Sequence, residues 1–214
     1  MPLFVKAGNM SLIPLCAPAA VSVKMSALWA ESSFPDMKIC VFCGSAAGHD
    51  ECYSCWAKEL GSWIGSGGHT LVYGGAKAGL MGILADRVLA CGGKVIGVIP
   101  DVELIQSRRH TGLTETIETG SMSDRKAKMI EISDAFIALP GGPGTLDEIT
   151  DVVTLTRIGV NKKPLVLFDG NGYYRPLKAV FDAMLDAGFA DACDFSNLLF
   201  SSDWKAIGQF ICGA

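Results

Sequence analysis

Three stretches place glycine where a backbone must pass close to another group: Cys43-Gly-Ser45, Tyr73-Gly-Gly75 continuing to Gly79-Leu-Met-Gly82, and Leu139-Pro-Gly-Gly-Pro-Gly-Thr145. Each follows a short apolar run and precedes a helix-like one. Glycine lets the main chain approach a phosphate, and the helix that follows points its unpaired amides and positive dipole end at the anion. None of the three has the G-x-x-x-x-G-K-[ST] spacing of a triphosphate loop, so the expected ligand is a monophosphate. A tight strand-to-helix turn also needs glycine, and for Gly44 or Gly79 alone that plainer reading stands. The third turn is stiffer: three glycines and two prolines fill the five positions from Pro140 to Gly144, and Thr145 and two carboxylates, Asp147 and Glu148, follow at once.

Glu148 has two readings. Thr145-x-x-Glu148 has the spacing of a capping box, in which Thr145 caps the helix and Glu148 returns a hydrogen bond to the cap amide; spacing alone favours this. The same position suits chemistry. A carboxylate in the first helical turn has its charged form favoured by the dipole and opposed by a bound phosphate. If the dipole dominates, the ionised group can orient water or face a developing oxocarbenium ion. A cationic partner is offered by Arg125-Lys126, near the start of the helix-like segment that leads into the run ending at the third turn. Cations there oppose the helix dipole, and that mild cost points to binding, although a solvated basic face is the default for such a cluster.

The elements that must position these residues follow a βαβ rhythm. Strand-like runs at 37–43, 69–73, 94–99, 134–139 and 164–168 alternate with helical patterns near 50–65, 79–91, 122–132, 145–158 and 173–187. Weaker segments at 114–119 and 197–200 suggest edge strands, and 203–212 a last helix. Continuously apolar strands fit a sheet buried on both faces. The expectation is an α/β fold: a Rossmann-like doubly wound, mainly parallel sheet with helices on both faces, whose ligands sit beyond the carboxyl ends of the strands.

Composition narrows the function classes. A net charge of −4 without a dense basic stripe argues against a nucleic-acid partner. No apolar run reaches the roughly 18 residues of a membrane span, so no membrane partner is expected either. Of the eight cysteines, Cys40-x-x-Cys43 and Cys52-x-x-Cys55 superficially suggest a zinc ribbon. Residues three apart on a strand point to opposite faces, however, and Cys52, Cys55, Trp56, Leu60, Trp63 and Ile64 form a helical stripe. No metal is expected, and the cysteines are read as core thiols in a reducing, cytoplasmic compartment. The histidines at 49, 69 and 110 are read as surface polar residues, and Arg108-Arg109-His110 as either a loop or an extra phosphate contact. Residues 1–36 are set apart as an N-terminal extension, flexible or targeting, with Met25 or Met37 as alternative beginnings. Residues 37–214 are expected to form a single Rossmann-like, nucleotide-binding domain.

Together, Cys43-Gly-Ser45, Tyr73-Gly-Gly75, Gly79-Leu-Met-Gly82, Val98-Ile-Pro100, Met122-Ser-Asp-Arg-Lys126 and Pro140-Gly-Gly-Pro-Gly-Thr-Leu-Asp-Glu148 resemble the LONELY GUY family of cytokinin riboside 5'-monophosphate phosphoribohydrolases, often mislabelled lysine decarboxylases. The likeness runs from about Met37 to Phe189. It implies hydrolysis of an N6-substituted adenosine 5'-monophosphate to free base and ribose 5-phosphate, with no cofactor. It implies Arg125 and Glu148 as the catalytic pair, and Lys126, Gly141, Gly142, Gly144 and Thr145 as nucleotide or phosphate contacts. Gly74, Gly75 and Met122 fall on its pocket wall. A homodimer with sites near the subunit interface is implied as well. Ser123 and Leu155 stand where the family commonly has His and Trp, which bears on the purine pocket. Two other readings remain: a non-catalytic nucleotide carrier or sensor on the same fold, and a decarboxylase holding pyridoxal phosphate on Lys77 or Lys126.

Overall fold

The computed structural model describes residues 36–213. The extension expected over residues 1–36 therefore lies, but for Asp36, outside the described residues. Seven strands form one sheet: β1 (Lys38–Phe42), β2 (Thr70–Tyr73), β3 (Lys94–Pro100), β4 (Glu115–Thr119), β5 (Ala135–Ala138), β6 (Leu165–Phe168) and β7 (Leu198–Ser201). Their order is β4-β3-β2-β1-β5-β6-β7, and every neighbouring pair is parallel. The helices are α1 (Glu51–Ser66), α2 (Gly79–Ala90), α3 (Glu103–Gln106), α4 (Met122–Ile132), α5 (Pro143–Arg157), α6 (Arg175–Asp186) and α7 (Trp204–Cys212). This is the doubly wound arrangement expected from the sequence. Chain order runs outward from β1 in both directions, so connections diverge at the carboxyl ends of β1 and β5. That opening is the topological switch point, where such sheets take ligands.

Period-two alternation along the central strands fills both faces with apolar side chains. One face holds Ile39, Val41, Tyr73, Val95 and Ile137 against α1, α2 and α7; the other holds Cys40, Phe42, Val72, Val98 and Phe136 against α4 and α5, with Tyr174 at the start of α6 beside them. Phe42 and Phe136 stack across β1 and β5 at 5.9 Å between ring centroids. Cys40 and Cys43 belong to opposite layers, as their spacing on a strand requires. Burial pushes both thiols well above the ordinary cysteine range.

Side-chain caps set several helix starts. Asp50 accepts from the Cys52 amide at 3.0 Å, Ser121 from Asp124 at 3.1 Å and Asp203 from Lys205 at 2.9 Å. The expected capping box at Thr145 and Glu148 does not form. The N-cap of α5 is Gly142, Pro143 takes the first helical position, and no side chain caps the end. The physical reason is the proline: its fixed φ and missing N–H suit the first turn, so the helix starts two residues early and Thr145 lies inside it.

Two of the histidines read as surface groups are buried. His69 packs on Trp63 at 5.3 Å between ring centroids and accepts from the Met37 amide at 3.3 Å. His110 accepts from the Gly112 amide at Nδ1 (3.0 Å), which leaves Nε2 to donate to Asp86 at 2.9 Å. Only His49 is exposed. The short helix α3 was not anticipated, and the weak segments expected at 114–119 and 197–200 form the edge strands β4 (Glu115–Thr119) and β7 (Leu198–Ser201), each paired with one neighbour.

Candidate active site

At the switch point the β1 and β5 turns meet. The Gly44 amide donates to the Pro140 carbonyl at 3.1 Å, so the first glycine turn braces the third. Gly141 lies with its α-carbon against the Thr145 side chain, where a β-carbon would overlap Thr145 Oγ1. Gly142 and Gly144 are exposed, and a β-carbon on either would meet nothing within 4 Å. A helix leaves its first amides without partners inside the helix, and Pro143 contributes none. The amides of Gly141, Gly142, Gly144 and Thr145 have no acceptor among the described residues. The corner therefore presents unpaired N–H groups, on the positive end of a dipole, beside open space.

One turn further along α5 sits Glu148, 8 % exposed, and facing it is Arg125 of α4, 7 % exposed. Arg125 Nη1 donates to Glu148 Oε1 at 2.9 Å, and Arg125 Nε donates to the Val98 carbonyl of β3 at 3.2 Å. The expected cationic partner is thus buried and ion-paired rather than part of a solvated face. Gly74, at the carboxyl end of β2, makes room for it: a β-carbon there would overlap Arg125 Nη2 and lie 2.7 Å from Met81 Cε. Burial pushes the Glu148 carboxyl above its usual range, and the Arg125 guanidinium, by charge and hydrogen bond, pulls it back part of the way. Desolvation outweighs the cation in this enclosed position, so the helix dipole alone does not decide the protonation of Glu148.

The remaining expected residues surround this pair. Met122 is exposed in the first turn of α4, one turn before Arg125 and on the same side of the helix. Lys126 bonds Asp147 at 2.8 Å and Asp151 at 2.7 Å, and those carboxylates hold its ammonium charged. Two of its three donors are so engaged, leaving one for a ligand. Gly75 adopts φ +78, with Ile99 Cγ1 2.5 Å from where its β-carbon would stand and its carbonyl accepting from the His110 amide at 2.8 Å. It shapes the β2 turn from beneath. Ser123 is exposed and Leu155 half-buried. Arg108 and Arg109 lie apart from the third turn, with Lys77, on a shallow cavity of about 270 Å³; Arg109 pairs with Glu118 at 3.7 Å.

Sequence reasoning missed Tyr173 and Tyr174, between β6 and α6. Tyr173 donates its hydroxyl to the Gly141 carbonyl, and Tyr174 donates to the Leu139 carbonyl at 2.7 Å. No spacing rule links positions more than thirty residues apart on neighbouring loops; the only signal was Asp169-Gly-Asn-Gly-Tyr-Tyr174, a further glycine turn after a strand.

A doubly wound parallel sheet, with bare amides beside a buried guanidinium–carboxylate pair at its switch point, defines a Rossmann-like α/β protein. A family model described as possible lysine decarboxylase matches residues 81–209. A cytokinin riboside 5'-monophosphate phosphoribohydrolase of Rhodococcoides fascians is 42% identical over 77% of this chain and 84% of its own length. The Arabidopsis thaliana enzyme of that name designated LOG1 is 45% identical over 74% of each chain. Among solved structures, the Moco carrier protein of Chlamydomonas reinhardtii superposes with a TM-score of 0.63 at 25% identity, over 84% of this chain and 100% of that one. The chain belongs to the family these relatives represent, the LONELY GUY family that its motifs resemble.

Proposed function

We propose that the chain hydrolyses the N-glycosidic bond of an N6-substituted adenosine 5'-monophosphate, releasing the free base and ribose 5-phosphate. The observation that carries this reading is the buried 2.9 Å pair of Arg125 and Glu148, one helical turn from four unpaired amides. The 5'-phosphate sits on the amides of Gly142, Gly144 and Thr145 and fixes the sugar. As the bond from C1' to the base nitrogen lengthens, the ionised Glu148 stabilises the positive charge on the sugar and orients the water whose oxygen bonds C1'. Arg125 steadies the departing purine, which leaves with the bonding pair and takes up a proton. Met122, Gly74 and Gly75 line the pocket, and Ser123 and Leu155 adjust which bases it admits. Residues 37–214 act as one hydrolase domain, as a homodimer with sites near the subunit interface, in the cytoplasm. Among the described residues no helix is long and apolar enough to cross a membrane.

The likeness to a carrier protein gives a second reading, nucleotide binding without turnover. Incubation with AMP and isopentenyl-AMP, followed by chromatography for free base, separates the two. Release of adenine or isopentenyladenine supports the hydrolase; binding without product supports the carrier. A decarboxylase reading is disfavoured at Lys126, because a Schiff-base lysine needs an amine that gives up its proton readily, and Asp147 and Asp151 hold this one charged.

A further inference from the structure

We infer that Tyr173 is a positioning residue for the anion corner: its phenol holds the peptide between Gly141 and Gly142 so that the Gly142 amide faces the ligand. The inference rests on the reading that a phosphate binds there. In a trans peptide the carbonyl and the following amide point in opposite directions, so anchoring one aims the other. Each carbonyl from Leu139 to Gly142 is anchored. Leu139 accepts from Tyr174 Oη at 2.7 Å, Pro140 from the Gly44 amide at 3.1 Å, Gly141 from Tyr173 Oη, and Gly142 from the Leu146 amide at 3.1 Å.

Two of these anchors aim an amide at the corner. The Pro140 carbonyl, held by Gly44, turns the Gly141 N–H outward, and the Gly141 carbonyl, held by Tyr173, does the same for Gly142. The other two aim nothing, since Pro140 and Pro143 have no N–H. The Gly141–Gly142 peptide also has glycine on both sides, which gives it the least intrinsic resistance to flipping, and among the described residues its only anchor is one side chain. That side chain is itself braced. The Tyr173 ring meets Tyr53 at 6.0 Å and Tyr174 at 5.1 Å between centroids, both edge-on, and Asn171 Nδ2 donates to Tyr53 Oη at 3.3 Å. Tyr173 is 40% exposed and Gly141 half-buried, so the carbonyl that loses the phenol is not sealed from solvent. Tyr174, 5% exposed, provides the contrast: its hydroxyl secures the end of β5 and aims no amide.

The test compares Y173F with Y174F by three measurements: calorimetric binding of inorganic phosphate, KM and kcat on a nucleoside monophosphate, and Tm. For Y173F the expected result is an increase of about tenfold in both the phosphate Kd and KM, the scale of one misdirected hydrogen bond to a charged group. Its kcat stays within about threefold of wild type, as for loss of uniform binding, and its Tm is unchanged. Y174F is expected to lower Tm and leave the phosphate Kd alone. An unchanged Kd in a folded Y173F protein, a Y173F loss confined to Tm, or a wild-type protein that binds no phosphate overturns the inference. The binding arm needs no turnover. A wild-type protein that binds phosphate but releases no base therefore refutes the proposed hydrolysis and leaves the Tyr173 inference to be judged on Kd alone.

Discussion

Replacing Glu148 with glutamine separates its charge from its shape. Because the N-cap of α5 is Gly142, the change touches no cap. Breaking a buried ion pair by removing one partner costs about 3–5 kcal/mol. Glutamine, however, keeps an oxygen where Arg125 Nη1 donates at 2.9 Å, so the loss shrinks toward the difference between a charged and a neutral hydrogen bond, about 1 kcal/mol. Against this, the burial that pushes the Glu148 carboxyl up no longer penalises a charge. The two effects oppose each other, and Tm should move by no more than about 2–4 °C in either direction. Turnover is different. A positioned carboxylate that meets a developing cation or a reacting water contributes on the order of 10²–10⁴ in rate, or about 2.7–5.4 kcal/mol of barrier. Thermal melts with single-turnover release of free base, read by chromatography, measure both quantities. A folded E148Q protein that releases base within a few-fold of the wild-type rate would refute the assignment of Glu148 to catalysis.

Other outcomes follow from the same geometry. On the proposed mechanism the ionised Glu148 is the active form, so kcat/KM should fall as pH drops through a value above the usual 4.5, and R125Q, which removes the opposing cation, should move that acid limb to higher pH. The sign for stability is the reverse of the usual carboxylate case. The folded state holds this proton more tightly than the unfolded one, so Glu148's contribution is fully present below pH 4.5 and lost as pH rises through its folded value, which acid-range melts of wild type and E148Q can compare. G74A should displace the guanidinium and lower kcat by at least about tenfold, with a stability cost of about 1–3 kcal/mol, measurable by turnover and denaturant unfolding. Iodoacetamide at pH 8 should label the exposed Cys193 of the native protein and spare Cys40 and Cys43 until it is unfolded, as peptide mass spectrometry would read.

The sheet was legible because parallel strands buried on both faces write themselves as short apolar runs; Ile39 to Phe42 and Ala135 to Ala138 could hardly be anything else. β4 was fainter because Glu115-Thr-Ile-Glu-Thr119 is an edge with its side chains largely exposed. The glycine turns were legible as strand-to-helix corners for a local reason, that strand, turn and helix are contiguous in the chain. Where the reading failed, the deciding partner was distant or a neighbour competed. Pro143 took the helix start away from Thr145. His69 packs on Trp63 and accepts from Met37, and His110 donates to Asp86, partners that the residues beside each histidine do not announce. Tyr173 and Tyr174 act across two loops. Residue types pointed to Arg125 as a cation near the site, but its burial depends on Gly74 and Val98, contributed by β2 and β3.

That threading of Arg125 has a consequence for how the protein acquires its site. Its guanidinium is fastened to β3, on one wing of the sheet, and to Glu148 of α5, which follows β5 on the other, while the glycine that admits it ends β2. A partly folded chain with either wing in order contains every residue of the pair and none of its geometry. If this pair is the catalytic one, as proposed, catalytic competence registers completion of the whole sheet: during refolding, turnover should return only after both wings have docked on β1, and local opening of either should silence the site before the rest of the molecule melts.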